Sequence, residues 1–135
     1  MVRHRLQREE GASAVEFAII ASLLFLIVFG IIEYGRIYSE YQVFQAAARE
    51  GARVAAVRGS MAEIEARVNE ATGPYTKDQP VSVSVSDGGA GDPPCSSSTV
   101  GESVTVSWTQ NFKVLVGLLP PLNRNIVIKG VFRCE

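Results

Sequence analysis

The sequence predicts an α+β protein. A long N-terminal helix starts as a transmembrane segment and continues into a small extracytoplasmic domain. That domain holds a short second helix and a three- or four-stranded antiparallel sheet. Three observations carry this reading. From Phe17 to Ile32 no side chain is charged, and apolar residues occur on every side of the helix rather than along one stripe. Beyond that run, aromatic and small residues recur at helical spacing as far as Arg58. After Pro80 the period of the pattern falls from helical to two, the signature of half-buried strands. The boundaries that follow are a charged leader over 1–11, a long hydrophobic helix over 12–58 with its membrane span at 12–32, and an extracytoplasmic domain over 59–135.

Residues 1–10 are too charged and too short to fold alone, so they read as a leader. The stretch that follows, GASAVEFAIIASLLFLIVFGII, begins at Gly11. Taken from Ala12, it spans about 30 Å as a helix, the hydrocarbon thickness of a bilayer. Glu16 is its single carboxylate, and an ionisable group in a membrane segment is costly enough to suggest a function. A cleaved secretory signal would place its small-residue site after the apolar core. Here Ala12-Ser13-Ala14 precedes the core, and Ala46 to Ala48 lie far beyond it. A plain signal-anchor fits the length but leaves Gly11 and Glu16 without a reason. Arg3, Arg5 and Arg8 precede the apolar run and only Arg36 closely follows it, which puts the N-terminus in the cytoplasm and residues 33–135 outside.

The residues GASAVEFAII resemble the processing site of type IV prepilins, and specifically the TadE-like minor pseudopilins of tight-adherence (Tad, type IVc) pili. The similarity continues through FGIIEYGRIYSEYQVFQAAAREGARVAA and more loosely in LLPPLNRNIVIKGVFRCE, with the close match covering about the first 60 residues. The resemblance implies a leader that a membrane-embedded prepilin peptidase removes by cutting between Gly11 and Ala12. Glu16 then becomes the fifth mature residue and an assembly residue. It also implies residence in the bacterial inner membrane, with pilin and minor-pilin subunits, the pilus assembly platform and the lipid bilayer as partners. Incorporation into an extracellular pilus is a later stage on this reading. Family members often carry a proline where this chain has Ser22, so a helix kink there is not carried over.

Past the span, Tyr34, Tyr38, Tyr41 and Phe44 recur every three or four residues, as an interfacial aromatic belt or a face for neighbouring subunits. Ala48, Ala52 and Ala56 lie four apart, as do Gly51, Ala55 and Gly59, a spacing that lets another backbone approach closely. Those small residues serve either packing against other helices or an alanine face against the chain's own domain. Arg49, Arg53 and Arg58, with Glu50, read as a solvated face. Arg58-Gly59-Ser60 should bend or end the helix, and Ser60 with Glu63 has the spacing of a capping box, so a second helix starts near Met61. Thr72-Gly73-Pro74 stops it.

Val81, Val83 and Val85 alternate with serines, and Val104, Val106 and Trp108 with Thr105, Ser107 and Thr109. Residues 112–116 and 126–132 supply one or two more strands, with Gln110-Asn111 as a turn. The Gly/Pro/Ser-rich loop DGGAGDPPCSSS contains Cys95, and Cys134 is the other cysteine. In an exported domain the pair reads as one disulfide closing a loop of about 40 residues, worth roughly 4 kcal/mol in the chain-entropy model. Two free buried thiols are the alternative.

The net charge of −1 implies no broad basic surface and no nucleic-acid partner. His4, the only histidine, lies in the leader, and no Cys/His metal spacing, phosphate-binding loop or activated serine is present. Asp87 and Asp92 lack the spacing of a calcium-binding EF-hand loop. The chain therefore reads as a non-enzyme without cofactor or metal: a minor pilin or pseudopilin taking part in pilus assembly or initiation. The alternative is a single-pass anchored extracytoplasmic binding domain that never assembles.

Overall fold

The computed structural model describes residues 3–88, 91–114 and 124–135. Helix α1 runs from Arg3 to Ala56, 54 residues or about 80 Å. It begins ahead of the expected cleavage point, so the leader is helical from Arg3 rather than unfolded. The sequence RLQREE consists of good helix formers, and continuing an existing helix avoids the cost of a new nucleus.

The helix ends in a Schellman motif. Arg58 takes a left-handed φ of 66°, its N–H donates to the Ala55 carbonyl (3.2 Å), and the Gly59 N–H donates to the Val54 carbonyl (3.0 Å). Gly59 is required here: a Cβ on it would sit 2.8 Å from the Val54 carbonyl oxygen. Helix α2 (Met61–Thr72) follows at once, opened by the expected capping box. The Ser60 N–H donates to Glu63 Oε2 (2.8 Å) and the Glu63 N–H to Ser60 Oγ (3.3 Å). These bonds hold the Glu63 carboxyl below its ordinary range, the backbone N–H of Ser60 being the larger cause.

Strands β1 (Ser82–Val85), β2 (Ser103–Phe112) and β3 (Arg124–Arg133) form a three-stranded antiparallel sheet in the order β1-β2-β3. Val83 pairs with Val106, and Trp108 with Ile128. Burial alternates along β2, with Val104, Val106, Trp108, Gln110 and Phe112 turned inward. Gln110-Asn111 is therefore strand, not a turn. The buried Gln110 amide accepts the Asp78 N–H (3.2 Å) and donates to Asp78 Oδ2 (3.1 Å), while the Asn111 N–H donates to the same carboxylate (2.8 Å). A polar pair that looks like turn chemistry instead fastens the chain entering β1 to the sheet. Phe112 closes β2, Lys113 and Val114 are not strand, and the rest of the expected strand at 112–116 lies outside the described residues.

The sheet's inner face packs on the C-terminal third of α1, and α2 packs on the same helix. Phe44 sits at the centre, its ring edge-on to Tyr75, Trp108 and Phe112 with centroids 6.1 Å apart. The outer face carries Ser82, Ser84, Thr105, Ser107 and Thr109, with Val127 and Val131 exposed on β3.

Candidate functional site

Among the described residues, none buries the apolar part of α1. Its most apolar 18-residue window has a mean hydropathy of 2.8 and no residue of it is buried, so α1 is long and apolar enough to cross a membrane. Gly11, Ala12 and Glu16 are exposed and lie more than two turns into α1, inside continuous helix. At Ser22 the helix continues without a break, and the hydroxyl donates to the Ile19 carbonyl (2.8 Å). That bond satisfies the one polar group a lipid environment would otherwise strand at this level.

Beyond the apolar run, a charged cluster joins helix to sheet. Glu33 is buried, 5% exposed, although it directly follows the apolar run. Arg36 Nη2 donates to Glu33 Oε1 (2.7 Å) and to the Lys113 carbonyl (2.6 Å), and Nη1 to Glu40 Oε2 (3.4 Å). The contact between Arg36 and Lys113 spans 77 positions of sequence and ties α1 to the end of β2. Nothing in the local pattern of the chain announces it. The only sequence signal is the i, i+3 and i, i+4 spacing of Glu33, Arg36 and Glu40.

The aromatic row divides in two. Tyr34 and Tyr38 are exposed and stacked, centroids 6.1 Å apart, whereas Tyr41 packs edge-on to Phe112 and Phe44 is core. Each three-residue step lags the helix face by about 60°, so two successive steps carry the row off the outer face and into the domain.

Ala48, Gly51, Ala52, Ala55 and Ala56 all face inward and are buried by the chain's own α2 and sheet. A Cβ on Gly51 would collide with the Val68 side chain. One on Gly130 of β3 would collide with the backbone of Ala48, so strand and helix meet there without an intervening side chain. Gly130 carried no sequence signal beyond being a glycine in a strand, a known mark of close backbone approach.

Glu50 is more than part of a solvated face. It accepts from Arg53 Nη2 (3.0 Å) on its own helix and from Arg67 Nη2 (2.9 Å) on α2. These bonds, Arg53's first, lower its carboxyl to about 2. Cys95 and Cys134 lie at disulfide distance, their Cα atoms 5.5 Å apart across a separation of 39. Asp92 accepts the Met61 N–H at the start of α2 (2.8 Å), and among the described residues no three His, Cys, Asp or Glu converge on a metal geometry. A shallow groove of about 710 Å³ crosses the outer sheet beside Asp78, Pro80, Ser107, Asn111 and Asn125. Its carboxylate, Asp78, is already engaged by Gln110 and Asn111.

Residues 11–53 match the TadE-like protein family model. No curated protein and no solved structure matches the chain. The TadE-like match begins at Gly11 and stops just short of the end of α1, so it bears out the resemblance read from the N-terminal sequence and associates the chain with Tad pili. It covers the membrane-spanning candidate, the Glu33–Arg36–Glu40 cluster and most of the helix face that packs on the domain.

Proposed function

We propose that this chain is a minor pilin or pseudopilin of a Tad-type pilus. It waits in the bacterial inner membrane with its N-terminus in the cytoplasm and its α+β domain outside. A prepilin peptidase cuts between Gly11 and Ala12, and the mature helix then moves into or beneath a growing pilus, among pilin and minor-pilin subunits and the assembly platform. The observation that carries this reading is the TadE-like match beginning at Gly11, on a helix whose apolar part none of the described residues covers.

Glu16 supplies the assembly step. In the membrane it stands about a turn inside the cytoplasmic end of the span, where its carboxylate reaches the headgroup zone. In a bundle of helices it loses that zone and takes as partner the new amine of Ala12, on its own or an adjacent subunit. The pair fixes axial register, because sliding one helix along another separates the charges.

Intact-mass analysis of protein extracted from membranes of peptidase-expressing cells tests the reading. The expected mass lacks residues 1–11, and Gly11→Leu retains them because a large side chain obstructs the peptidase at the scissile bond. A mature chain that still begins at Met1 overturns pseudopilin function.

A further inference from the structure

We infer that the end of the exported domain where β2 stops lies in the headgroup layer of the bilayer, held there by Arg36. The inference rests on the membrane insertion proposed above. It follows from lengths along α1. The apolar run ends at Ile32, and Arg36 stands four residues, about 6 Å, further along the helix. The headgroup layer is roughly 5–8 Å deep on each side of the hydrocarbon. Arg36 therefore sits inside that layer, and its 2.6 Å bond to the Lys113 carbonyl brings the end of β2 to the same level.

The neighbouring chemistry suits that depth. Glu33, about 1.5 Å past the apolar run, would face the hydrocarbon boundary, where an unpaired carboxylate is costly. It is instead buried against Arg36, which also donates to Glu40. Two acids and the two bases Arg36 and Lys113 leave the cluster without net charge, so anionic lipid does not repel it. Lys113 is exposed, and its ammonium can reach a phosphate on a flexible stem. On the opposite side of α1, roughly 200° around from Arg36, Tyr34 and Tyr38 are 70% and 51% exposed. Their rings have the amphipathic character that interfacial positions favour. Tyrosines on one side and Arg36 with the end of β2 on the other form a collar around the helix at one height.

Depth-resolved quenching tests this on the full chain in vesicles of phosphatidylethanolamine and phosphatidylglycerol. Trp108 is the single tryptophan, so Trp108→Phe gives a silent background into which Lys113→Trp or Leu24→Trp is introduced. Lys113→Trp is expected to lose emission to a nitroxide on the lipid headgroup and much less to one deep in the acyl chain. Leu24→Trp should show the reverse. Should Trp108→Phe unfold the domain, the same quantity is read as the difference between Lys113→Trp and the unchanged chain. Quenching of Leu24→Trp with none of Lys113→Trp overturns the inference while leaving the anchor intact, and means the end of β2 stands clear of lipid or is covered by protein. No quenching at either position overturns the membrane reading itself. Adding Arg36→Ala should reduce quenching at 113 at unchanged quenching at 24, and an unaltered value at 113 overturns the role given to Arg36.

Discussion

At Gly130 the inner face of β3 carries no side chain, and the backbone of Ala48 occupies the space. Ile128 on the same face is buried, so the glycine marks the crossing point of helix and strand rather than a gap in the core. Gly130→Ala must push β3 off α1 or bend it, and overpacking of this kind costs about 1–3 kcal/mol. Urea unfolding of the detergent-solubilised chain, followed by Trp108 fluorescence, should show a lower midpoint. A midpoint equal to that of the unchanged protein would mean the sheet can ride away from Ala48 freely. Neither Gly130 nor Arg36 was legible as a contact residue in the sequence, because each meets its partner about 80 positions away and no local pattern encodes such a meeting. The capping box of Ser60 and Glu63 was legible because donor and acceptor lie within one helical turn.

Elements divide along the same line. The long apolar helix, α2, and the alternation in β1 and β2 follow from periodicity, which is local, and the structure has these elements where the pattern does. Gln110-Asn111 misleads because its polarity answers to Asp78, more than thirty residues earlier, rather than to a turn. The small-residue face of α1 could not be assigned to a partner from spacing alone, since close packing on another helix and on one's own sheet demand the same residues. The loop before β2 is fastened by Cys95 to Cys134, directly after β3. Both cysteines are buried, and the Cys134 N–H donates to the Glu102 carbonyl (2.8 Å) beside them. In natively exported protein, alkylation is expected to find no free thiol until reductant is added. Reduction should then lower the stability of the domain by up to about 4 kcal/mol on the chain-entropy estimate. Full labelling of both cysteines without reductant would show that the pair stays reduced.

For the whole molecule, the domain buries the small-residue face of α1 and leaves residues 11–32 largely exposed; on the proposed function these meet lipid first and other helices later. On that reading Glu16 is the carboxylate within the span whose surroundings change when the subunit leaves the membrane. Close to the cytoplasmic end of the span it hinders insertion little, so Glu16→Ala and Glu16→Gln should reach the membrane at normal level and still be cleaved after Gly11. In a filament the same substitutions leave the Ala12 amine unpaired in a low-dielectric bundle, and breaking a buried pair on one side typically costs about 3–5 kcal/mol. A loss of that size is a factor of a hundred or more in the equilibrium for joining the pilus. Comparing membrane level, N-terminal mass and pilus incorporation for Glu16→Gln separates the stages, because glutamine keeps the shape of the side chain and removes its charge. Assembly equal to that of the unchanged protein would eliminate the charge pair as the register device, whereas failure to insert would give Glu16 a role within the membrane itself.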